Sequence, residues 1–202
     1  MFAKRLIIAS NNTHKICELK AMLAPHFDEI LSMAEAGLSL DIEETGSTFR
    51  ENAVIKAEAV ASLVKGPALA DDSGLEVWAL HGAPGVYSAR FAGMHGDDQA
   101  NNQKLLEEMQ ELAGDKRQAQ YKACIAIAMP GFPVLTAEGT CPGVILCEPQ
   151  GTSGFGYDPL FFLPSLGCTM AQLSPEIKNS ISHRHHAMEG IKQLLANLPS
   201  QI

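Results

Sequence analysis

The chain has 202 residues and a mass of 21.6 kDa, the size of one domain or of two small lobes. With 46% hydrophobic and 19% charged residues it is not a disordered chain, and no apolar run approaches the roughly 18 residues that span a bilayer. Lys+Arg number 15 against 23 Asp+Glu, a formal charge of −8. That balance argues against a nucleic-acid coat but leaves room for a small phosphorylated ligand held by a few local cations and a metal.

The first ten residues carry two positive charges, but their apolar stretch is too short for a signal peptide. Leu6–Ala9 then reads as a buried strand ending at Ser10-Asn11-Asn12, followed by a helix over about 13–23 with Ile16, Leu19 and Leu23 on one face. Residues 28–47 read as strand and loop, closing on the acidic stretch Asp41-Ile42-Glu43-Glu44-Thr45-Gly46. Thr48-Phe49-Arg50-Glu51 matches a capping box, and the helix behind it places Ala53, Ala57, Val60, Ala61 and Val64 along one stripe until Gly66-Pro67. Ala68-Leu69-Ala70 is a second short strand, delivering Asp71-Asp72-Ser73-Gly74 at its end.

Residues 81–96 are Gly-rich and read as a long loop or lid. Asp97 and Asp98 cap a helix with Leu105, Leu106, Met109 and Leu112 on its apolar face. From Gln118 to Met129 apolar residues alternate, Pro130-Gly131 turns the chain, and Val134–Leu146 returns as the partner of a long antiparallel hairpin. A last helix over about 185–198 uses Ala187, Ile191, Leu194, Leu195 and Leu198. The class is mixed α/β. The five cysteines, Cys17, Cys124, Cys141, Cys147 and Cys168, include no C-x-x-C pair. They read as reduced thiols of a cytoplasmic protein, most of them small core hydrophobes.

There is no G-x-x-x-x-G-K-[ST] phosphate loop, no H-E-x-x-H and no G-x-S-x-G elbow. Ser10-Asn11-Asn12-Thr13-His14-Lys15 places small polar residues between a strand and a helix N-terminus, where backbone N–H groups and a first-turn Lys can meet an anion. A capped helix with a solvated Lys fits the same pattern. Glu43-Glu44 and Asp71-Asp72 are two acidic pairs whose neighbouring side chains point to opposite faces of an extended chain. Glu43 or Glu44, with Asp72, supplies the oxygen ligands that Mg²⁺ prefers, and a carboxylate there can deprotonate water; an exposed loop and a turn are the alternatives. Phe155-Gly156-Tyr157-Asp158 combines aromatics for stacking on a base with a carboxylate for its N–H edge, or is a surface turn with one packed ring. Ser182-His183-Arg184-His185-His186 adds donors near a helix start, and Lys56 and Arg90 are further cations.

Taken in order, these segments resemble the inosine/xanthosine triphosphate pyrophosphatases. The resemblance is carried by Ser10–Lys15, Glu43-Glu44-Thr45-Gly46 with Phe49 and Glu51-Asn52-Ala53, Ala70–Leu75, Gly82–Gly93, Gly154–Pro159 and Ser182-His183-Arg184. It covers nearly the whole chain. It implies an elongated two-lobed α/β fold with a central curved mixed sheet flanked by helices, a ligand cleft between lobes, and a homodimer; the charge and hydropathy add that no nucleic-acid or membrane partner is expected. It further implies Mg²⁺-dependent hydrolysis of ITP, dITP or XTP to the monophosphate and pyrophosphate. Asp72 matches the general base and a metal ligand, and Glu43 a metal ligand. Ser10, Asn11, Asn12, Thr13, His14 and Lys15 match the phosphate-side loop; Ser73, Phe155, Gly156, Tyr157, Asp158, Lys178, His183 and Arg184 match substrate-binding positions. In this reading His183 and Arg184 donate to a 6-oxo group, which adenine lacks. A pyrophosphatase for modified pyrimidine triphosphates and a non-catalytic nucleotide sensor are the competing readings.

Overall fold

A computed structural model describes residues 5–24 and 27–197. Met1–Lys4 of the N-terminal stretch and Leu198 of the expected last helix lie outside the described residues. Seven strands hydrogen-bond in the order β2-β1-β3-β4-β5-β6-β7. They are β1 (Arg5–Ile8), β2 (Glu29–Ser32), β3 (Ala68–Val77), β4 (Gln118–Ala128), β5 (Leu135–Ile145), β6 (Phe161–Leu163) and β7 (Cys168–Thr169). The helices are α1 (Thr13–Leu23), α2 (Phe49–Val64), α3 (Asp98–Glu108), α4 (Pro175–Ile181) and α5 (His183–Ala196). β1 is parallel to β2 and β3, while β6 is antiparallel to β5 and β7, so the sheet is mixed. The six-residue link from β4 to its neighbour β5 is too short for a parallel crossover, which makes that pair the expected hairpin.

The chain divides into two compact units. The first comprises Met1–Asp72, Ala123–Gly139 and Arg184–Ile202. Its core joins Leu6 and Ile8 of β1, Leu19 and Leu23 of α1, Leu69 of β3, Ile125 and Ile127 of β4, and Met188 and Ile191 of α5. α1 starts where the Asn12 side chain accepts from the Lys15 backbone N–H. α2 starts at a complete capping box: Thr48 Oγ1 accepts from Glu51 N, and Glu51 returns the bond to Thr48 N. The second unit comprises Ser73–Lys122 and Thr140–His183. Leu75, Val77, Leu105, Met109, Tyr121, Ile145, Tyr157 and Phe161 are in its core. Buried Arg117 donates to the carbonyls of Met109, Leu112, Ile145 and Leu146, fixing the end of α3 to the end of β5.

Several elements differ from the sequence reading. β3 does not end at Ala70 but runs through Asp71 and Asp72 to Val77, because both carboxylates find buried cationic partners that offset their desolvation. The supposed lid holds a 3-10 helix over Gly85–Arg90. β4 alternates only at its start; Ala123–Ala128 are buried on both faces, as a central strand requires. β6, β7 and α4 are additional. The last helix begins at His183 rather than near 185, with Met188 buried and Leu194 exposed. Only Cys124 and Cys141 are buried, whereas Cys17 and Cys147 are exposed, so most cysteines are not core residues.

Candidate active site

In the first unit, adjacent residues of β3 support two separate ion-pair networks, as the pleat of an extended chain requires. The Asp71 side chain is fully buried; Lys15 Nζ lies 2.9 Å from its Oδ2 and Arg184 Nε 3.4 Å from the same atom. Arg184 Nη1 also pairs with Glu18 on α1 at 2.8 Å. Lys15 is therefore not a solvated first-turn lysine but the bridge from the helix start to β3. The rest of the segment is held by local bonds: Ser10 Oγ accepts from Asn12 N at 3.2 Å, and Asn11 Nδ2 donates to Leu40 O at 3.2 Å. Thr13 and His14, both exposed, form the first turn.

Asp72 takes part in the second network. Lys56 Nζ donates to its Oδ1 at 3.1 Å and to Glu44 Oε1 at 2.7 Å, and Asn52 Nδ2 donates to Asp72 Oδ2 at 3.2 Å. Asn52 and Lys56 are one helical turn apart on α2, so the capping box that fixes the start of α2 also aims both donors at one carboxylate. Asn52 Oδ1 in turn accepts from Gly46 N at 2.8 Å, where a Cβ on Gly46 would strike it. Burial raises the Asp72 carboxyl above its usual range, and Glu44 adds to this, while Lys56 and Lys15 oppose it. Burial alone would lower the Lys56 ammonium, but Asp72 and Glu44 outweigh it and hold Lys56 above its usual value. The result is a carboxylate of heightened basicity beside a permanent cation. Glu43 is exposed, and it is Glu44 that shares Lys56 with Asp72.

Mg²⁺ commonly takes one or two protein carboxylates and completes its shell with water and substrate phosphate. Among the described residues no cluster of three or more His, Cys, Asp and Glu forms a metal cage. Glu44 and Asp72, which share the Lys56 ammonium, are two carboxylates that could supply oxygen ligands to such an open site.

In the second unit, Asp158 is buried. It accepts from Lys178 Nζ at 2.5 Å, from Phe155 N at 3.0 Å and from Tyr121 OH at 3.2 Å. The Lys178 ammonium also sits 4.6 Å from the centroid of the partly exposed Phe155 ring. The two aromatics of this loop thus play different parts. Tyr157 is a core anchor whose hydroxyl donates to Ser88 O at 2.9 Å, and burial, with Asp98 nearby, drives its phenol well above the usual range. Phe155 is only partly buried. His183 is buried and stacks on Tyr121, centroids 4.9 Å apart and planes 18° from parallel. Ser73 lies on β3, partly buried, next to Gly74, where a Cβ would collide with Ser88 Oγ.

His183 and Arg184, expected side by side as base donors, have separate surroundings: His183 the Tyr121 ring, Arg184 the Asp71 and Glu18 carboxylates. Sequence reading placed Asn52 in a resembling segment without a role, and missed Glu18 and Tyr121. The Asn52–Lys56 spacing signals the first of these, but nothing local signals the other two, whose contacts are 166 and 37 residues away in the chain.

The Ham1 family model matches residues 6–194. The chain is 47% identical over 192 residues to a protein of Halalkalibacterium halodurans named dITP/XTP pyrophosphatase, covering 95% of this chain and 99% of that one. It is 46% identical over 192 residues to the Bacillus subtilis (strain 168) protein of the same name, covering 95% and 97%. Among solved structures, the Staphylococcus aureus Ham1 protein superposes with a TM-score of 0.84 at 43% identity, covering 96% of this chain and 98% of that one. A HAM1 protein from Coxiella burnetii gives 0.85 at 40% identity, covering 98% and 100%.

Proposed function

Because this chain belongs to the Ham1 family, we propose that it hydrolyses non-standard purine nucleoside triphosphates (ITP, dITP, XTP) to the monophosphate and pyrophosphate. The observation that carries this reading is Asp72: a buried, basic carboxylate, oriented by Asn52 and charge-balanced by Lys56. Similarity along almost the whole length to proteins named dITP/XTP pyrophosphatase supports the substrate class.

In this mechanism a water attacks the α-phosphorus and gives its proton to Asp72. The bond from the α-phosphorus to the bridging oxygen breaks, and pyrophosphate leaves with its electron pair. Lys15 and Lys56 offset the charge that collects on the phosphate oxygens, and the turn from Ser10 to His14 faces them with the positive end of α1. Glu44 and Asp72 would hold Mg²⁺, which when bound supplies charge neutralisation on the triphosphate. Glu43 matches the metal acid of the resembling family, but its exposure makes Glu44 the better partner of Asp72.

For the base we assign Phe155 as the stacking face, with Lys178, Asp158 and His183 as its polar surroundings and Gly156 and Tyr157 as its support. Ser73 completes this group, and Arg184 orders Asp71 and Lys15 as well as carrying donor capacity. A base without the matching 6-oxo acceptor leaves a donor unpaired, at about 1–3 kcal/mol, or roughly 10–200-fold in discrimination. In this reading the working form is a cytoplasmic homodimer, as the family resemblance and the cysteine content imply. The test is a substrate panel of dITP, XTP, dATP and a modified dUTP, with Mg²⁺ and with a chelator. Mg²⁺-dependent pyrophosphate release from dITP and XTP, with at least tenfold weaker turnover of dATP, is expected. Preference for the pyrimidine, or binding without turnover, overturns the reading.

A further inference from the structure

The mechanism above leaves α3 unused, yet its first turn makes two short hydrogen bonds to the Phe155–Asp158 loop. Asp98 Oδ2 accepts from Gly156 N at 2.6 Å, and Asn102 Nδ2 donates to Gly156 O at 2.8 Å and to Asp98 O at 2.8 Å. Both backbone polar groups of one loop residue are thus held by two side chains a single helical turn apart. Gly156 lies at φ +62, a left-handed conformation, between the partly buried Phe155 and the buried Tyr157. Holding its peptide groups therefore fixes the direction in which the Phe155 ring leaves the loop.

The clamp is itself anchored. Asp97 caps α3 by accepting from Ala100 N at 3.0 Å. Asn101 accepts from Ala92 N at 2.7 Å and donates to Ala89 O at 3.3 Å, and Lys104 donates to Phe91 O at 2.8 Å. Tyr157 OH reaches Ser88 O of the same 3-10 segment. At the far end, Arg117 holds the carbonyls of Met109 and Leu112. The helix is fixed at both ends, with its first turn as the rigid side of the contact.

We propose that Asp98 and Asn102 are positioning residues for nucleobase binding, setting the Phe155 platform through Gly156. This rests on the reading of that loop as the base site. The clamp's hydrogen bonds are to Gly156 and within α3, so loosening it weakens ground-state binding of the base and leaves the chemical step intact.

The experiment compares wild type with Asp98→Ala, Asp98→Asn, Asn102→Asp and, as a control, Gln99→Ala on the exposed side of the same turn. Asn102→Asp keeps the volume but sets an acceptor against two carbonyls. Asp98→Asn keeps an acceptor for Gly156 N. Steady-state kinetics with dITP and Mg²⁺ are paired with hydrogen exchange at the Gly156 amide. The expected result is a KM about tenfold higher in Asp98→Ala and Asn102→Asp, with kcat within about twofold, as the loss of one or two hydrogen bonds implies. Gly156 exchange should speed up in both, Asp98→Asn should recover most of the KM, and Gln99→Ala should match wild type. Unchanged KM in both disruptive variants overturns the proposal, as does a fall in kcat at constant KM or an unprotected Gly156 amide in wild type. If the wild type itself fails to turn over dITP, the base-site reading fails first and the proposal falls with it.

Discussion

Lys56→Met is the most informative single perturbation of the first unit. The ammonium lies 2.7 Å from Glu44 Oε1 and 3.1 Å from Asp72 Oδ1. With an effective dielectric constant near 20, those separations correspond to roughly 6 and 5 kcal/mol of attraction. Desolvation of three mostly buried groups cancels most of that sum. Removing one partner of such a buried pair costs about 3–5 kcal/mol, because the abandoned carboxylates lose their compensation. Partial exposure of Glu44 and proton uptake by Asp72 reduce the figure to about 2–4 kcal/mol at pH 7. For a chain of this size, that is a Tm lower by roughly 5–15 °C.

The sign of the pH dependence follows from Asp72. Without Lys56 its carboxyl is raised further, so the penalty is largest above its folded pKa and shrinks as pH falls and the proton returns. Differential scanning calorimetry of both proteins in chelator, from pH 8 to pH 5, reads this directly. A loss under 2 °C, or one independent of pH, would refute the argument that Lys56 is the charge balance of Asp72.

Other consequences can be measured independently. Gly154→Ala must adopt φ +80 and point a methyl at Asp158 Oδ2, which Lys178 and the Phe155 amide hold in place. Thermal melts should show about 2–3 kcal/mol of lost stability, and KM for dITP should rise. Glu35 accepts from Lys20, Ser32 N and Ser32 Oγ, which pull its carboxyl down to about 2. A depressed folded pKa gives stability that is complete above the ordinary value of 4.5 and is lost as pH falls towards 2. The melting profile of Glu35→Gln should therefore lack part of the wild-type drop between pH 4.5 and 2, and identical profiles would contradict the assignment. Burial raises the thiols of Cys124 and Cys141 to about 11, whereas Cys17 and Cys147 are exposed. Iodoacetamide at pH 8 followed by peptide mass spectrometry should label the exposed pair in the native protein and the buried pair only after denaturation.

The parts of this fold that could be read from sequence are those specified locally. The capping box at Thr48, the Asp97 cap of α3 and the Asn12 start of α1 each depend on residues within one helical turn, so their signals are contiguous. The continuation of β3 through Asp71 and Asp72 was not legible, because two aspartates in a strand read as a turn. What reverses that reading is Lys15, Lys56 and Arg184, distant in the chain and visible only once it folds. For the Phe155–Asp158 loop the sequence left open whether a ring packs into the core, and only the fold shows that Tyr157 does, with its hydroxyl on Ser88 O beside Leu160 and Phe161. The ion pairs of Arg184 with Glu18 on α1 and Asp71 on β3 were not legible either, since both acids are far from it in the chain. Adjacency of Glu43 and Glu44 gave no sign of which one pairs with Lys56; in the fold it is Glu44.

The central claim is that Asp72 takes the proton of a water attacking the α-phosphorus. The most direct test is product analysis in ¹⁸O-labelled water with dITP and Mg²⁺, comparing wild type with Asp72→Asn, which keeps the side-chain shape and removes the base. The expected result is dIMP carrying the label, unlabelled pyrophosphate, and a rate in the variant lower by about a hundredfold or more. Label in pyrophosphate, release of orthophosphate, or a variant as fast as wild type would contradict it.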